Sequence, residues 1–263
     1  MQIVDRLPGP ARAVVRRARE DDILLFASSL AFYAVVSLIP LVIVVLWIVG
    51  LFVGDEEVKR LAATVRDVAP EKLGVDRALV RVARLGTGIG LPAVAAALWP
   101  ATAYGAGLKR AFESLSSRGR KEMRGLRGRG LAILVLLPLF VLGGLLGAYG
   151  AAALTGDTGV ARVLGWALAL PGAFIFVVLV VGLIYRVFAP EAFGAPALWR
   201  GAAACALGVA ILSVFFTIYL GTAANFQERY ATSGLAALVL LALWLFLANV
   251  LLLVGYKVAL ESG

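Results

Sequence analysis

ILLFASSLAFYAVVSLIPLVIVVLWIVGLF, residues Ile23–Phe52, carries no charged side chain. At ~1.5 Å rise per residue it makes a helix of roughly 45 Å, longer than the ~30 Å hydrocarbon core of a bilayer needs. The run reads as a membrane span with room to tilt, not as the core helix of a soluble domain. One face of it is not pure hydrocarbon. Ser29, Tyr33 and Ser37 recur at i, i+4 and i+8, one above another, and Pro40 follows within a turn. Lipid cannot satisfy a hydroxyl, so such a stripe turns toward other helices or a wet cavity. Helix packing is the plain reading of it. The wall of a transport path is the sharper one.

The rest of the chain agrees with a membrane setting. Apolar residues make up 62% of it, and the mean hydropathy is +0.95. Both lie outside the range of ordinary soluble domains. The 263 residues hold about six spans of ~20–25 residues plus loops. The net charge of +9 would suggest nucleic acid in a soluble chain. Here the basic residues gather in a few loops, where the positive-inside bias puts them. Cys205 is the single cysteine and there is no histidine. That removes a disulfide framework, the usual zinc sites, imidazole acid–base chemistry and catalytic triads. No enzyme activity, metal or cofactor is expected.

Six spans are expected, at about 23–53, 88–108, 131–154, 160–188, 201–220 and 235–260. The fold class is all-α: one polytopic membrane domain over 1–263. Residues 1–22 hold Arg6, Arg12, Arg16, Arg17 and Arg19 and end in Glu20-Asp21-Asp22. They read as a short basic helix on the cytoplasmic surface. The run that follows is too long for a signal-peptide core, so it reads as an uncleaved first span. Residues 54–86 mix six acids with seven bases, and Val58, Leu61, Ala62, Val65 and Val68 keep a helical spacing up to Pro70. Two short amphipathic helices on the outer side are expected there. The second span carries Pro92 and Pro100, where kinks are expected.

Residues 109–130 form the most basic loop, from Lys109 and Arg110 to Arg129, offset by Glu113 and Glu122 alone. This loop is cytoplasmic by the bias rule and suited to anionic lipid headgroups. It lacks the aromatic interleaving that stacks bases, so no specific nucleic acid is expected. In the third span Gly143 and Gly147 form a GxxxG pair. Arg186 and Arg200 bracket a loop on the inner side. Gly201, Ala204, Cys205 and Gly208 make a small-residue face on the fifth span, with Ser213, Thr217 and Tyr219 further along. On the sixth, Asn249 and Lys257 share a face, and an amide inside a membrane helix needs a partner. Asp157, Asn225, Gln227 and Glu228 offer an outer polar patch, which loop polarity explains equally well. The loops alternate so that both termini lie in the cytoplasm.

Two stretches carry a resemblance. Ala31, Tyr33, Ser37, Leu38 and Pro40 match the opening LAxYxxLSLxPL pattern of the YihY/BrkB family of bacterial inner-membrane proteins, once labelled ribonuclease BN. Tyr219, Tyr230, Gly234, Trp244 and Gly255 resemble its ending. The family's usual glutamate two residues after the last glycine is Lys257 here, and its asparagine after span two is Glu113. The resemblance implies six helices in the bacterial inner membrane with both ends inside.

The residues then support several functions. The first is a transporter or flippase-like protein for an amphipathic anionic lipid or lipid-linked envelope precursor. Its candidate headgroup-binding cations are Lys109, Arg110, Arg186, Arg200 and Lys257. Its candidate pathway residues are Ser29, Tyr33, Ser37, Pro40, Ser213, Thr217, Tyr219 and Asn249. Anionic membrane lipids are the expected partners. The second is a scaffold for envelope-assembly proteins, and the third an ion or small-solute transporter working as a homo-oligomer. Spans without buried acids argue against an ion relay. The ribonuclease reading comes last, for want of histidine pairs or clustered acids.

Overall fold

The computed structural model describes residues 22–53, 102–116, 159–190, 193–222 and 233–263. Among them every regular element is helical: α1 Ile23–Val53, α2 Ala103–Leu115, α3 Gly159–Phe188, α4 Ala195–Thr222 and α5 Ser233–Ser262. Three of these contain stretches long and apolar enough to cross a membrane, Leu170–Phe188, Ala195–Phe216 and Leu238–Ser262. Ile23–Ser37 of α1 is a shorter apolar stretch. The expected spans 88–108 (up to residue 101) and 131–154 with its GxxxG pair lie outside the described residues. So do the N-terminal segment up to residue 21, the outer segment 54–86, the basic loop from residue 117 onward, and the patch of Asp157, Asn225, Gln227 and Glu228.

The helix ends follow local chemistry. Asp22 sits at φ 54°, a left-handed conformation that short polar side chains tolerate, and its carbonyl accepts the Phe26 N–H at 3.1 Å. At the end of α3 the Ala189 N–H reaches Tyr185 O, and Pro190 stops the helix. Gly194 O then accepts the Leu198 N–H, and Pro196 falls in the first turn of α4, where no N–H is needed. The connection between α3 and α4 is therefore residues 189–194, shorter than the expected loop 186–200. Arg186 lies in the last turn of α3 and Arg200 in the second turn of α4.

A similar difference holds at α2. The helix continues to Leu115, because Gly105, Gly107, Leu108, Ala111, Phe112 and Leu115 recur at helical spacing and are buried. Lys109 and Arg110, expected to open a loop, ride on this helix instead. Lys109 pairs with Glu113 one turn on, at 3.6 Å.

The packing places α5 against α4, α1 and α2, while α3 packs on α4 and α2, and α2 also lies on α1. Small residues decide how close the helices come. Gly107 faces the Tyr33 ring and Leu30 across the α1–α2 contact. Gly182 of α3 takes the Trp199 ring of α4. Between α4 and α5 the backbones themselves meet, with Gly201 against Gly255 and Ala259. Large side chains such as Phe174, Ile175 and Leu179 of α3 and Leu207, Val214 and Phe215 of α4 face outward. An apolar helix with little of its span buried is what a lipid solvent permits.

Candidate functional site

Among the described residues the two largest fully buried side chains are Tyr185 and Tyr256, and they lie together. Phe112 of α2, Tyr185 of α3, Phe193 of the α3–α4 connection and Tyr256 of α5 form one aromatic cluster. Phe112 lies 4.4 Å from Tyr256 and 5.7 Å from Tyr185, centroid to centroid. Tyr256 is 5.8 Å from Tyr185 and 5.6 Å from Phe193, the latter edge-on. Tilted and edge-on pairs at such distances add roughly 0.5–1.5 kcal/mol each beyond area burial.

The Tyr185 hydroxyl donates to the carbonyl of Leu252 at 2.6 Å. It reaches that atom through the notch left by Gly255, whose missing Cβ would stand 2.6 Å from it. Cys205 and Gly201 of α4 line the other side of the same notch. Small residues on α4 and α5 thus let a side chain of α3 bond to the backbone of α5.

All five candidate headgroup cations ride beside this cluster in sequence. Arg186 follows Tyr185, Lys257 follows Tyr256, Arg200 precedes Gly201, and Lys109 and Arg110 stand within a turn of Phe112. Arg110, Arg186 and Arg200 are exposed, and Lys109 and Lys257 are half-buried. The interlocked rings and glycines fix the backbone from which each cation projects. Among the described residues no three His, Cys, Asp or Glu side chains come together to hold a metal ion.

The candidate pathway residues divide. Ser29 is exposed and its hydroxyl donates to Leu25 O at 3.1 Å, within its own helix. Tyr33 is half-buried against Gly107, and Ser37 is buried. Pro40 lies inside α1. Ser213 donates to Val209 O at 2.8 Å. Tyr219 is exposed beside Phe216, and the Thr217 side chain lies outside the described residues. Asn249 is buried, and its partner is Tyr104. The Tyr104 hydroxyl donates to Asn249 Oδ1 at 2.8 Å, while Nδ2 donates to Leu245 O at 2.8 Å. Tyr33 and Asn249 therefore both turn toward α2, where Gly107 and Tyr104 meet them.

Tyr104, Phe112, Phe193 and Tyr256 were not singled out by sequence reasoning. The usable signals were the spacing 105/108/112 on α2, and two tyrosines that each stand directly before a cation. A double-mutant cycle tests the polar tie. Asn249→Ala leaves the Tyr104 hydroxyl without its acceptor and is expected to cost about 1–2 kcal/mol. In Tyr104→Phe the same change should cost less, with a coupling of about 0.6 kcal/mol, the average of interhelical bonds in membranes. Reversible unfolding in mixed micelles measures it, and additive costs would show that the two side chains do not act on each other.

A family model described as Virulence factor BrkB matches residues 14–262, nearly the whole chain. Neither the curated proteins nor the solved structures gave a significant match.

Proposed function

The chain belongs to the Virulence factor BrkB family, and from that premise we propose that it is a multi-pass protein of the bacterial inner membrane that moves an amphipathic anionic lipid or lipid-linked envelope precursor between leaflets. Both termini lie in the cytoplasm in this reading, and the protein is not an enzyme. The observation that supports it is the set of five cations on four helices, each within three residues in sequence of the interlock of Phe112, Tyr185 and Tyr256 with Gly201 and Gly255. Cations that only oriented the chain would need no shared platform. Cations that receive a phosphate or carboxylate headgroup gain from one, because a preorganised site avoids the cost of ordering long side chains on binding.

Retention of lipid tests this. Native mass spectrometry of the protein in gentle detergent should show one anionic class held above its bulk proportion. Each basic residue near an acidic group contributes ~1 kcal/mol, so Arg186→Gln with Lys257→Gln should lower that retention by about tenfold or more. Bulk lipid in bulk proportions, unchanged by the substitutions, would overturn the headgroup site. Flux of that class in proteoliposomes is the second step, and its absence would leave binding without transport.

A second reading has its own observation. Gly201 and Gly255 bring the backbones of α4 and α5 into contact, and a seam so tight suits a closed scaffold for envelope-assembly partners. Specific proteins retained through purification, together with no lipid flux, would favour it.

A further inference from the structure

The Tyr185 side chain joins two helices that do not lie along one another. The extended contact of α3 runs to α4, and those of α5 to α4 and α1. Tyr185 crosses from α3 to α5 with its ring on Phe112 and Tyr256 and its hydroxyl on Leu252 O. We propose that Tyr185 is the latch of a gate at this end of the bundle, and that its release parts α3 from α5 and opens a cleft down to Cys205.

Three features would let this contact release while the rest of the cluster stays packed. First, Leu252 lies inside α5, so its carbonyl also accepts the helical N–H four residues on. The bond from Tyr185 is a second bond to an atom already satisfied, and breaking it strands no backbone group. Second, Tyr185 stands one turn from the end of α3, directly before the exposed Arg186, so a released hydroxyl reaches water within a turn. Third, the walls of the notch are Gly201, Cys205 and Gly255. None of them is large enough to fill the space that a departing tyrosine leaves. The opening would lie among the backbones that carry Arg186, Arg200 and Lys257. The gate goes beyond the headgroup reading and stands without it, because nothing in its geometry depends on what passes.

Cys205 is the chain's only cysteine and it is buried, so the protein carries its own reporter. The test is the rate of labelling by N-ethylmaleimide in the full chain, solubilised in mild detergent, with thermal unfolding measured alongside. The wild type should label slowly. Tyr185→Phe removes the bond and keeps the ring, and should label about five- to tenfold faster, the factor that one buried hydrogen bond supplies, with a fall in unfolding temperature no larger than that of Tyr104→Phe. Tyr104→Phe removes a different cross-helix donor, to Asn249, and should label as the wild type does. Equal rates for Tyr185→Phe and the wild type would overturn the latch, and so would equal acceleration by both variants. Hydrogen exchange on the wild type supplies a second reading where Tyr185→Phe fails to fold. Residues 183–188 should then open while 245–255 stay closed, and simultaneous exchange of the two segments would overturn the proposal.

Discussion

Gly255→Ala lowers the stability of the bundle by about 2–3 kcal/mol, at the upper end of what overpacking a core costs. The sign is the opposite of the usual one. In a helix interior alanine is favoured over glycine by ~1 kcal/mol, so an unobstructed site would gain. At Gly255 the added Cβ would stand 2.6 Å from the Tyr185 hydroxyl, 2.8 Å from Cys205 Cβ and 2.8 Å from Gly201 O. The last of these is backbone and cannot rotate away. Gly201→Ala meets the same wall from the other side, 2.5 Å from Gly255 O and 2.7 Å from Ala259 Cβ, and its cost should match. Two further glycines serve as controls. Gly208→Ala approaches only the end of the Leu251 side chain, at 2.7 Å, which can change rotamer, so the loss should stay under about 1 kcal/mol. Gly172→Ala meets nothing within 4 Å and should be neutral or stabilising. Unfolding in mixed micelles ranks the four. Gly255→Ala as stable as Gly172→Ala would show that the backbones of α4 and α5 do not meet.

That seam shows how much the sequence could tell. The small-residue face at Gly201, Ala204, Cys205 and Gly208 is visible in the letters, and three of its four members do face inward. Ala204 turns outward, because the contact follows 201/205/208 around the helix. The uncharged run from Ile23 announced α1, and the low charge of the last two spans announced α4 and α5 to within a few residues at most ends. The larger differences have identifiable causes. Pro196 reads as loop, yet proline is tolerated in a first helical turn, so α4 begins six residues earlier than Gly201. Lys109 and Arg110 read as the start of a basic loop, yet they occupy the outer face of an amphipathic helix. The aromatic cluster was the least legible part. In a helix that is apolar all round, the contrast between faces that marks a buried residue in a soluble protein is gone. Tyr185 and Tyr256 then look no different from Phe174 or Phe215, which face outward, whereas Phe112 sits on the apolar face of the amphipathic α2. The partner of Asn249 was required by physics but not named by it, since a tyrosine 145 positions away supplies it.

Phe112→Ala should cost about 3–5 kcal/mol, the range for truncating a fully buried aromatic. Phe112 has no exposed surface and lies against both Tyr185 and Tyr256. Its loss leaves a cavity walled by two rings that are themselves pinned, Tyr185 by its bond to Leu252 and Tyr256 by its packing on Phe193. Such walls cannot collapse inward, which keeps the cost near the top of the range. Phe112→Leu keeps much of the volume and should cost less than half as much. The two variants also separate packing from recognition, because neither removes a charge. Phe112 is what α2 contributes to the cluster, and Lys109 and Arg110 stand three and two residues before it. If the cluster positions those cations, Phe112→Ala lowers retention of the anionic lipid class together with stability, and Phe112→Leu restores most of both. Retention that falls with Arg186→Gln and Lys257→Gln but not with Phe112→Ala would place the headgroup on α3 and α5 alone. Lys109 and Arg110 would then be left to the orienting role that basic residues flanking a span perform.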